Sequence, residues 1–372
     1  MSATVSGGDP IRVQRGMVLI YRLFDVADAI DIDRAATLVQ RGETRRLDLR
    51  RFQKNQLSIS KPPLSYELGQ QRVAVDGQDF AVDSHVRIFD IGVLSIVLKV
   101  VIPRGATFDE LVELNARISD HPAIERLAKD LAQQVSDDIK KVMLRPKFSG
   151  FFEDYTVTFI ESFVETPSIP LLSAHPALPR LLLSDNSPRG ISKEALEDAT
   201  EMRFSYYADE LAVIDYNSAF VYEPGGDPDI PDLIEFASAQ LLELRYYDDL
   251  LDRELAAMYD EVERVRGKMR KREVRHLTRR LLQVVLEVTQ LTEKIENSLK
   301  WVGDPYLAKF YQAAAKQFNL ARWQTQVERK VNLISKMTEL LSDQINTDRA
   351  LLLESLVVIL ILFEIVAALI RH

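Results

Sequence analysis

The densest run of side chains that could do chemistry is a basic stretch over residues 264–280. It holds nine Arg and Lys residues and one acid, Glu273, in a chain whose formal net charge is −9. Cations at this density bind phosphate, so the stretch predicts contact with RNA, a ribosome or anionic lipid. No aromatic residue interrupts it, so we expect contact with phosphates and no base stacking. The nine cations are Arg264, Arg266, Lys268, Arg270, Lys271, Arg272, Arg275, Arg279 and Arg280.

The basic stretch also has a structural interpretation. On a helix it would form a solvated face, or its cations would pair with Glu254, Glu261 and Glu263 on a neighbouring helix. The sequence leaves both interpretations open.

No catalytic or cofactor-binding motif occurs in the sequence. The Walker, dinucleotide-binding, zinc-protease and nucleophile-elbow patterns are all missing. Adjacent acids such as Asp137 and Asp138 fall on predicted helices, where they point about 100° apart and form no acid pair. There is no cysteine, and the five histidines have no metal-ligand spacing. We therefore expect a non-catalytic protein with no cofactor and no metal, from a reducing compartment.

The end of the chain carries an apolar run, Leu351–Ile370, of 20 residues in which Glu354, Ser355 and Glu364 are the polar members. A helix of this length is about 30 Å long, which matches a bilayer's hydrocarbon core. Its apolar residues offer about −5 to −9 kcal/mol for insertion, and two ionised acids would cost about +5 to +7 kcal/mol. We expect a membrane anchor that includes Leu351, Glu354, Leu356, Ile359, Phe363, Glu364 and Ile370. The alternative is a terminal helix buried in a bundle or an oligomer core.

A heptad pattern precedes the apolar run and predicts long helices. Its first seam has spacings of 7, 4, 3, 4 and 3 residues, which are typical of a coiled coil. A second seam follows over residues 274–295, after a break near Gly267 that fits a hairpin turn or a stutter. The pattern favours a homo-oligomer, and an intramolecular bundle is the alternative. The first seam consists of Leu244, Leu251, Leu255, Met258, Val262 and Val265.

The part before the heptads predicts an α+β body. Strand-like runs at 17–24, 86–102 and 151–164 alternate with helix-like runs, and Thr107 is placed to cap a helix. A β-α-β-β pattern occurs near 17–102 and again near 151–222, which suggests a duplicated unit. We therefore divide the chain into a flexible tail (1–15), an α+β body (16–230), a helical coiled-coil region (231–349) and a C-terminal transmembrane anchor (350–372).

Five blocks in this order resemble a known family. They are VLIYRLFDVADAIDID, the strand pair RIFDIGVLSIVL around Gly92, the helix-like ASAQLLELRYYDDLLDRELAAMYDEVE, GDPYLAKFY with Asp304, Pro305 and Tyr311, and the final LLLESLVVILILFEIV. The set resembles the "required for meiotic nuclear division" family, and departures at Trp323 and Glu328 identify a divergent bacterial branch. The resemblance implies a membrane-associated, coiled-coil oligomer without known catalytic activity, whose mitochondrial relatives support organellar translation.

These observations together predict a tail-anchored scaffold. The polar N-terminus contains no signal-peptide core, and Arg349 before the apolar run favours a cytoplasmic body. We expect a single-pass protein of the cell inner membrane that oligomerises and recruits an unidentified cytoplasmic protein to the lipid. The alternatives are an RNA- or ribosome-tethering factor that uses residues 264–280, and a soluble oligomer with its terminal helix buried.

Overall fold

The structure is a computed structural model that describes residues 11–39, 45–46, 62–185, 190–264, 271–299 and 305–370. These residues form a mixed α/β fold with one large sheet. The strands are β1 Val13–Asp25, β2 Ala29–Ile30, β3 Arg45–Arg46, β4 Leu64–Val75, β5 Gln78–Ile88, β6 Val93–Val101, β7 Met143–Leu144, β8 Phe152–Phe163, β9 Arg203–Phe204, β10 Leu211–Ile214 and β11 Ser218–Tyr222. The helices are α1 Ile32–Leu38, α2 Phe108–Ile118, α3 Pro122–Ile139, α4 Ile169–Ser173, α5 Leu178–Leu183, α6 Lys193–Asp198, α7 Asp229–Arg264, α8 Lys271–Leu299, α9 Pro305–Gln317 and α10 Leu320–Ile370.

The chain forms two compact units. The first, the sheet unit, comprises Met1–Tyr246 with Lys294–Arg322, and the second, the helical unit, comprises Tyr247–Glu293 with Trp323–His372. The sequence placed the boundary at residue 230, before the long helices. The structure places it within α7, because the first half of that helix packs with the sheet.

The sheet has nine strands in the order β3-β4-β5-β6-β1-β8-β11-β10-β9. Strand β1 lies at its centre and pairs antiparallel with both β6 and β8. Its sequence is apolar at successive positions, so both of its faces can be buried: Ile20 on one face and Leu19 on the other. Strand β11 pairs parallel with β8, which requires a long crossover, and the segment with α4, α5 and α6 provides it.

One face of the sheet packs against α2, α3 and α5. Thr107 begins α2 with a capping box in which its side chain accepts from the Glu110 N–H and its own N–H donates to the Glu110 carboxylate. His121 caps α3, and Pro122 stands at its first position. The core between these layers includes Ile20, Leu98, Phe108, Leu111, Ile124, Val135, Ile160, Leu181 and Phe220.

The opposite face of the sheet is covered by the first half of α7 and by α9. Phe89 of the β5–β6 turn lies 6.3 Å from Phe236 of α7, and Phe204 of β9 lies 5.5 Å from Phe310 of α9, between ring centroids. The sheet unit therefore has three layers, helices on sheet on helices.

The helical unit is a bundle made by the chain itself from the second half of α7, α8 and α10. Arg280 of α8 pairs with Glu254 of α7, and Lys330 of α10 lies 2.7 Å from Asp248 and from Asp252 of α7. The residues buried here include Leu251, Leu255, Met258, Leu281, Val288, Val327 and Ile334. Three seam residues that the structure describes in this unit, Leu251, Leu255 and Met258, are buried among these helices.

One finer prediction about the body differs from the structure. The halves at 17–102 and 151–222 are not copies, because the first strand pairs antiparallel with the last in one half and parallel in the other. Helix α3 ends at Ile139, and Met143 and Leu144 beyond it pair with β2.

The predicted transmembrane helix is not supported. Across the residues that the structure describes, no helix combines the length and the apolar character that a membrane crossing requires. The apolar run is helical, but it forms the end of α10, a 51-residue helix that carries charged residues along most of its earlier length.

Gly92 offers a test of the tight turn that leads into β6. Its φ is +104°, and an added Cβ would lie 1.9 Å from the carbonyl oxygen of Ala27. We expect Gly92→Ala to lower the free energy of unfolding by about 2–5 kcal/mol, through backbone strain and the forced displacement of that carbonyl. Denaturant unfolding followed by circular dichroism measures it.

Gly77 is the matched control, because its φ is +79° and an added Cβ would meet nothing within 4 Å. Gly77→Ala should cost about 1–2 kcal/mol, which is the strain alone. Equal losses for the two variants would contradict the close approach at Ala27.

Candidate functional site

A buried polar row crosses the sheet beneath α7. The residues Arg87, Ser95, Leu23 and Glu153 stand opposite one another on the four neighbouring strands β5, β6, β1 and β8. Both ends of the row are charged, although this face of the sheet is covered. Charges in such a place must be paired, because an isolated buried ion costs several kcal/mol.

Arg87 is paired with two acids of α7. Its Nη1 atom lies 2.9 Å from Oδ1 of Asp232 and also bonds the Glu235 carboxylate, which is fully buried. The two acids are three residues apart, so they lie on the same face of the helix. This triad fixes both the rotation of α7 and its position along the sheet.

Burial sets the titration of the triad. It raises the pKa of Glu235 to about 7, although Arg87 opposes the rise, and it also raises the pKa of Asp232. Burial alone would lower the pKa of Arg87, but the two carboxylates hold it above its ordinary value.

A second ion cluster lies near the end of β1. Lys147 Nζ is 3.3 Å from Oδ2 of Asp25 and 3.1 Å from Oδ1 of Asp28, and it sits 3.7 Å above the ring of Tyr246. Burial raises the pKa of Asp25 to about 6, and Lys147 opposes the rise. The cluster joins β1, the segment before β8 and α7.

The other end of the polar row is paired as well. Glu153 of β8 bonds Arg245 of α7, and burial raises the pKa of Glu153 to about 7 against the effect of that arginine. Tyr311 of α9 donates a hydrogen bond to Gln240 of α7. Each of these charged groups thus has a partner inside the sheet unit, and together the pairs fasten α7 to the sheet.

Within the described segments, no group of three or more His, Cys, Asp and Glu side chains could hold a metal ion.

The candidate functional site is the apolar end of α10, by which we mean Val357–Ile361. Its five aliphatic side chains are consecutive and remain 52–65% exposed. Successive residues of a helix point about 100° apart, so these five cover every side of it. Glu354, one turn earlier, is exposed as well. Of the other predicted anchor residues, Leu351, Leu356, Phe363, Glu364 and Ile370 are helical, and the structure describes nothing of their side chains.

The seam and the basic stretch are only partly described. Leu244 is buried in the sheet unit, while Leu251, Leu255 and Met258 are buried in the helical unit. Arg280 pairs with Glu254, one of the acids named by the structural interpretation, and Arg279 is exposed. The helical residues Val262, Arg264, Lys271, Arg272 and Arg275 have no described side chains, and Val265, Arg266, Lys268 and Arg270 lie outside the described residues.

The residues of the family-like blocks have structural roles where they are described. Gly92 makes the tight turn against Ala27, and the Tyr311 hydroxyl bonds Gln240. Pro305 begins α9, and Asp304 lies outside the described residues.

Sequence reasoning missed the triad of Arg87, Asp232 and Glu235. The signal that could have found it is the pair of acids three residues apart among apolar residues at the start of α7. Nothing near Asp232 in the sequence indicates that an arginine 145 residues earlier would contact it.

Comparison with known proteins gives two matches. The family model described as "Uncharacterized protein MJ0711, N-terminal domain" matches residues 15–229. The uncharacterized protein MJ0711 of Methanocaldococcus jannaschii is 24% identical over 241 residues, which cover 64% of this chain and 73% of that protein. No solved structure matches.

The resemblance to the "required for meiotic nuclear division" family was wrong. The family model that matches is a different one, and it covers the α+β part of the chain, 15–229, rather than the helical end that resembled that family most closely. Apolar helix ends and aromatic blocks recur in unrelated proteins because packing alone favours them, so their order was weak evidence.

Arg87 tests the buried triad. Arg87→Met removes the cation and leaves two buried acids without it, so we expect the free energy of unfolding to fall by about 3–5 kcal/mol. Urea unfolding followed by circular dichroism measures the change. Arg72→Met, at an exposed arginine of the neighbouring strand β4, should change the value by no more than about 0.5 kcal/mol. Equal effects would show that the triad does not fasten α7.

The raised carboxyl pKa values predict how stability depends on pH. Glu153 and Glu235 titrate near 7 in the folded chain and Asp25 near 6, whereas unfolded acids titrate near about 4. The folded state therefore keeps protons that the unfolded state releases, and the free energy of unfolding falls as pH rises from about 4.5 to about 7.

Glu153→Gln removes one of these titrating carboxyls, so the free energy of unfolding should fall less steeply as pH rises. Its partner Arg245 is 40% exposed and can be hydrated instead. Urea midpoints at pH 5, 6, 7 and 8 measure the slope. Glu194→Gln, at an exposed acid of α6, should leave the slope unchanged. A stability that rises over this range would contradict the raised values.

Proposed function

This chain belongs to the family of the MJ0711 N-terminal domain, and on that premise we propose that it is a non-catalytic scaffold whose apolar end of α10 inserts into a lipid bilayer. The family's description names no substrate or partner, so the proposal is built on this chain's own geometry. The observation that carries it is the exposure of Val357–Ile361.

The apolar end of α10 has a strong tendency to leave water. Five Val, Leu and Ile side chains that retain half or more of their exposed surface offer on the order of 4–7 kcal/mol on full burial. Contiguous exposed apolar surface of this kind marks an interaction site. Single exposed residues such as Leu286 elsewhere in the helical unit are ordinary by comparison.

The shape of the exposed surface favours lipid over a protein groove. A helix that lies in a groove buries one stripe and keeps its other side wet. Val357–Ile361 present apolar groups on every side, and the acyl chains of a bilayer would surround all of them. Exposed Glu354 would then stay at the headgroups, one turn before the inserted residues.

The proposal requires insertion of the apolar end of α10 and does not require that the helix cross the bilayer. The sheet unit would remain in water and present its surface to a cytoplasmic partner, and several copies on one membrane would raise the local concentration of that partner.

Vesicle flotation tests the proposal. The full chain should float with vesicles of phosphatidylcholine alone, and the double variant Ile359→Asp with Leu360→Asp should bind at least tenfold less. Each charge in the acyl region costs about 2.5–3.5 kcal/mol, which is enough for this loss. Leu282→Asp with Leu286→Asp is the matched control, because these residues of α8 are 48% and 61% exposed. It should float like the unchanged chain.

Two outcomes would contradict the proposal. If flotation required phosphatidylglycerol and was the same for the α10 variant and the unchanged chain, the basic stretch would be the part that contacts the membrane. If the α10 variant changed the mass of the oligomer in solution but not its flotation, the apolar end of α10 would be a contact between copies of the chain.

A further inference from the structure

Strand β5 extends beyond its neighbour β6. It pairs with β4 along its whole length, from Gln78 to Ile88, but with β6 only from Asp83 onward, which stands opposite Lys99. Residues 78–82 therefore have β4 on one side and, within the described chain, no strand on the other. On β6, Val100 and Val101 pair with β1 and not with β5.

The two open strand edges border a groove of about 680 Å³. We call it the β5–β6 groove. Phe80 and Val101 contribute its apolar sides, α2 lines it with Leu111 and Leu114, and Val101 is 67% exposed. Its volume lies within the usual range for ligand sites in proteins, about 300–1,000 Å³.

Local structure keeps the groove open. Strand β4 contains a bulge between Glu67 and Gly69, and a bulge bends and twists the strand that carries it. Pro103 follows β6 and cannot donate to a neighbouring strand. Arg117 of α2 donates to Gln78 Oε1 at 2.8 Å and holds the hairpin end in place. The groove is thus formed before anything binds.

We propose that the β5–β6 groove binds an extended peptide as an added strand. Residues 78–82 offer five residues of open edge, about 17 Å of strand, whose alternate N–H and C=O groups point away from β4. A peptide laid along this edge would form main-chain hydrogen bonds and place alternate side chains against Phe80 and Leu114. This is the β-augmentation mode of peptide recognition.

The charge of the groove selects a basic peptide. Asp79, Asp83, Glu110 and Glu113 line it against Arg104 and Arg117, which leaves two net negative charges. Gln70 engages Asp83, and Glu110 belongs to the Thr107 capping box. Asp79 and Glu113 are exposed and stand at the rim, where Lys or Arg side chains of a peptide can reach them.

This binding is independent of the proposed membrane association. The groove belongs to the sheet unit alone, and it would bind its peptide whether or not α10 met lipid. A failure of vesicle flotation and a failure of peptide binding are therefore separate results.

Fluorescence anisotropy with labelled heptapeptides tests the proposal on the full chain. The probes alternate Val with Lys, or Val with Glu, and a third repeats the Val/Lys sequence with N-methylated valines that cannot donate. The Val/Lys peptide should bind at least tenfold more tightly than the other two. Hydrogen exchange should show new protection at residues 78–82 and 100–101 when it binds.

The variant Asp79→Lys with Glu113→Lys should reverse the preference, so that the Val/Glu peptide binds more tightly. Asp130→Lys with Asp138→Lys, at exposed acids of α3, makes the same change of charge and should leave the preference as it was. Equal binding of the three peptides, or protection elsewhere, would overturn the proposal. If the chain formed a dimer that the Val/Lys peptide dissociated, the proposal would also be overturned, because a second copy of the chain would then occupy the groove.

Discussion

The contact between the sheet and α7 depends on the cation of Arg87. A buried guanidinium is tolerable only with carboxylates in bonding geometry, and Asp232 and Glu235 supply them from one face of α7. Apolar contacts alone would let a helix slide or rotate on a sheet at small cost. The triad permits one register, and Tyr246 over Lys147 repeats the constraint at the other end of the contact.

The elements that the sequence predicted well are those whose signals are local. Thr107 caps its helix as expected, and Gly92 turns the chain between the two strands of the predicted pair, because capping and positive φ depend on adjacent residues. The hairpin β4–β5 was mostly missed. Its outward positions carry Gln, Glu, Arg and Asp, which weaken the local signal for a strand. Its strand character depends on pairing, which no local pattern reports.

The long helices show a different limit. Their heptads correctly predicted helices, but the pattern does not tell whether a seam faces a second copy, a helix of the same chain or a sheet. Leu244 fits the same heptads as Leu251, yet it lies in the sheet unit and Leu251 in the helical unit. The apolar end of α10 was visible in the sequence because composition alone defines it. The triad and the β5–β6 groove were not, since each joins residues that lie far apart in the chain.

The central position of β1 has a consequence for synthesis. Val13 of β1 pairs with Phe163 of β8, so 150 residues separate partners at the middle of the sheet. At a translation rate of roughly 5–20 residues per second, β1 leaves the ribosome roughly 8–30 s before that partner is made. During this time β6 can pair with one edge of β1. The other edge can be covered only by a chaperone or by a strand that is not its native partner.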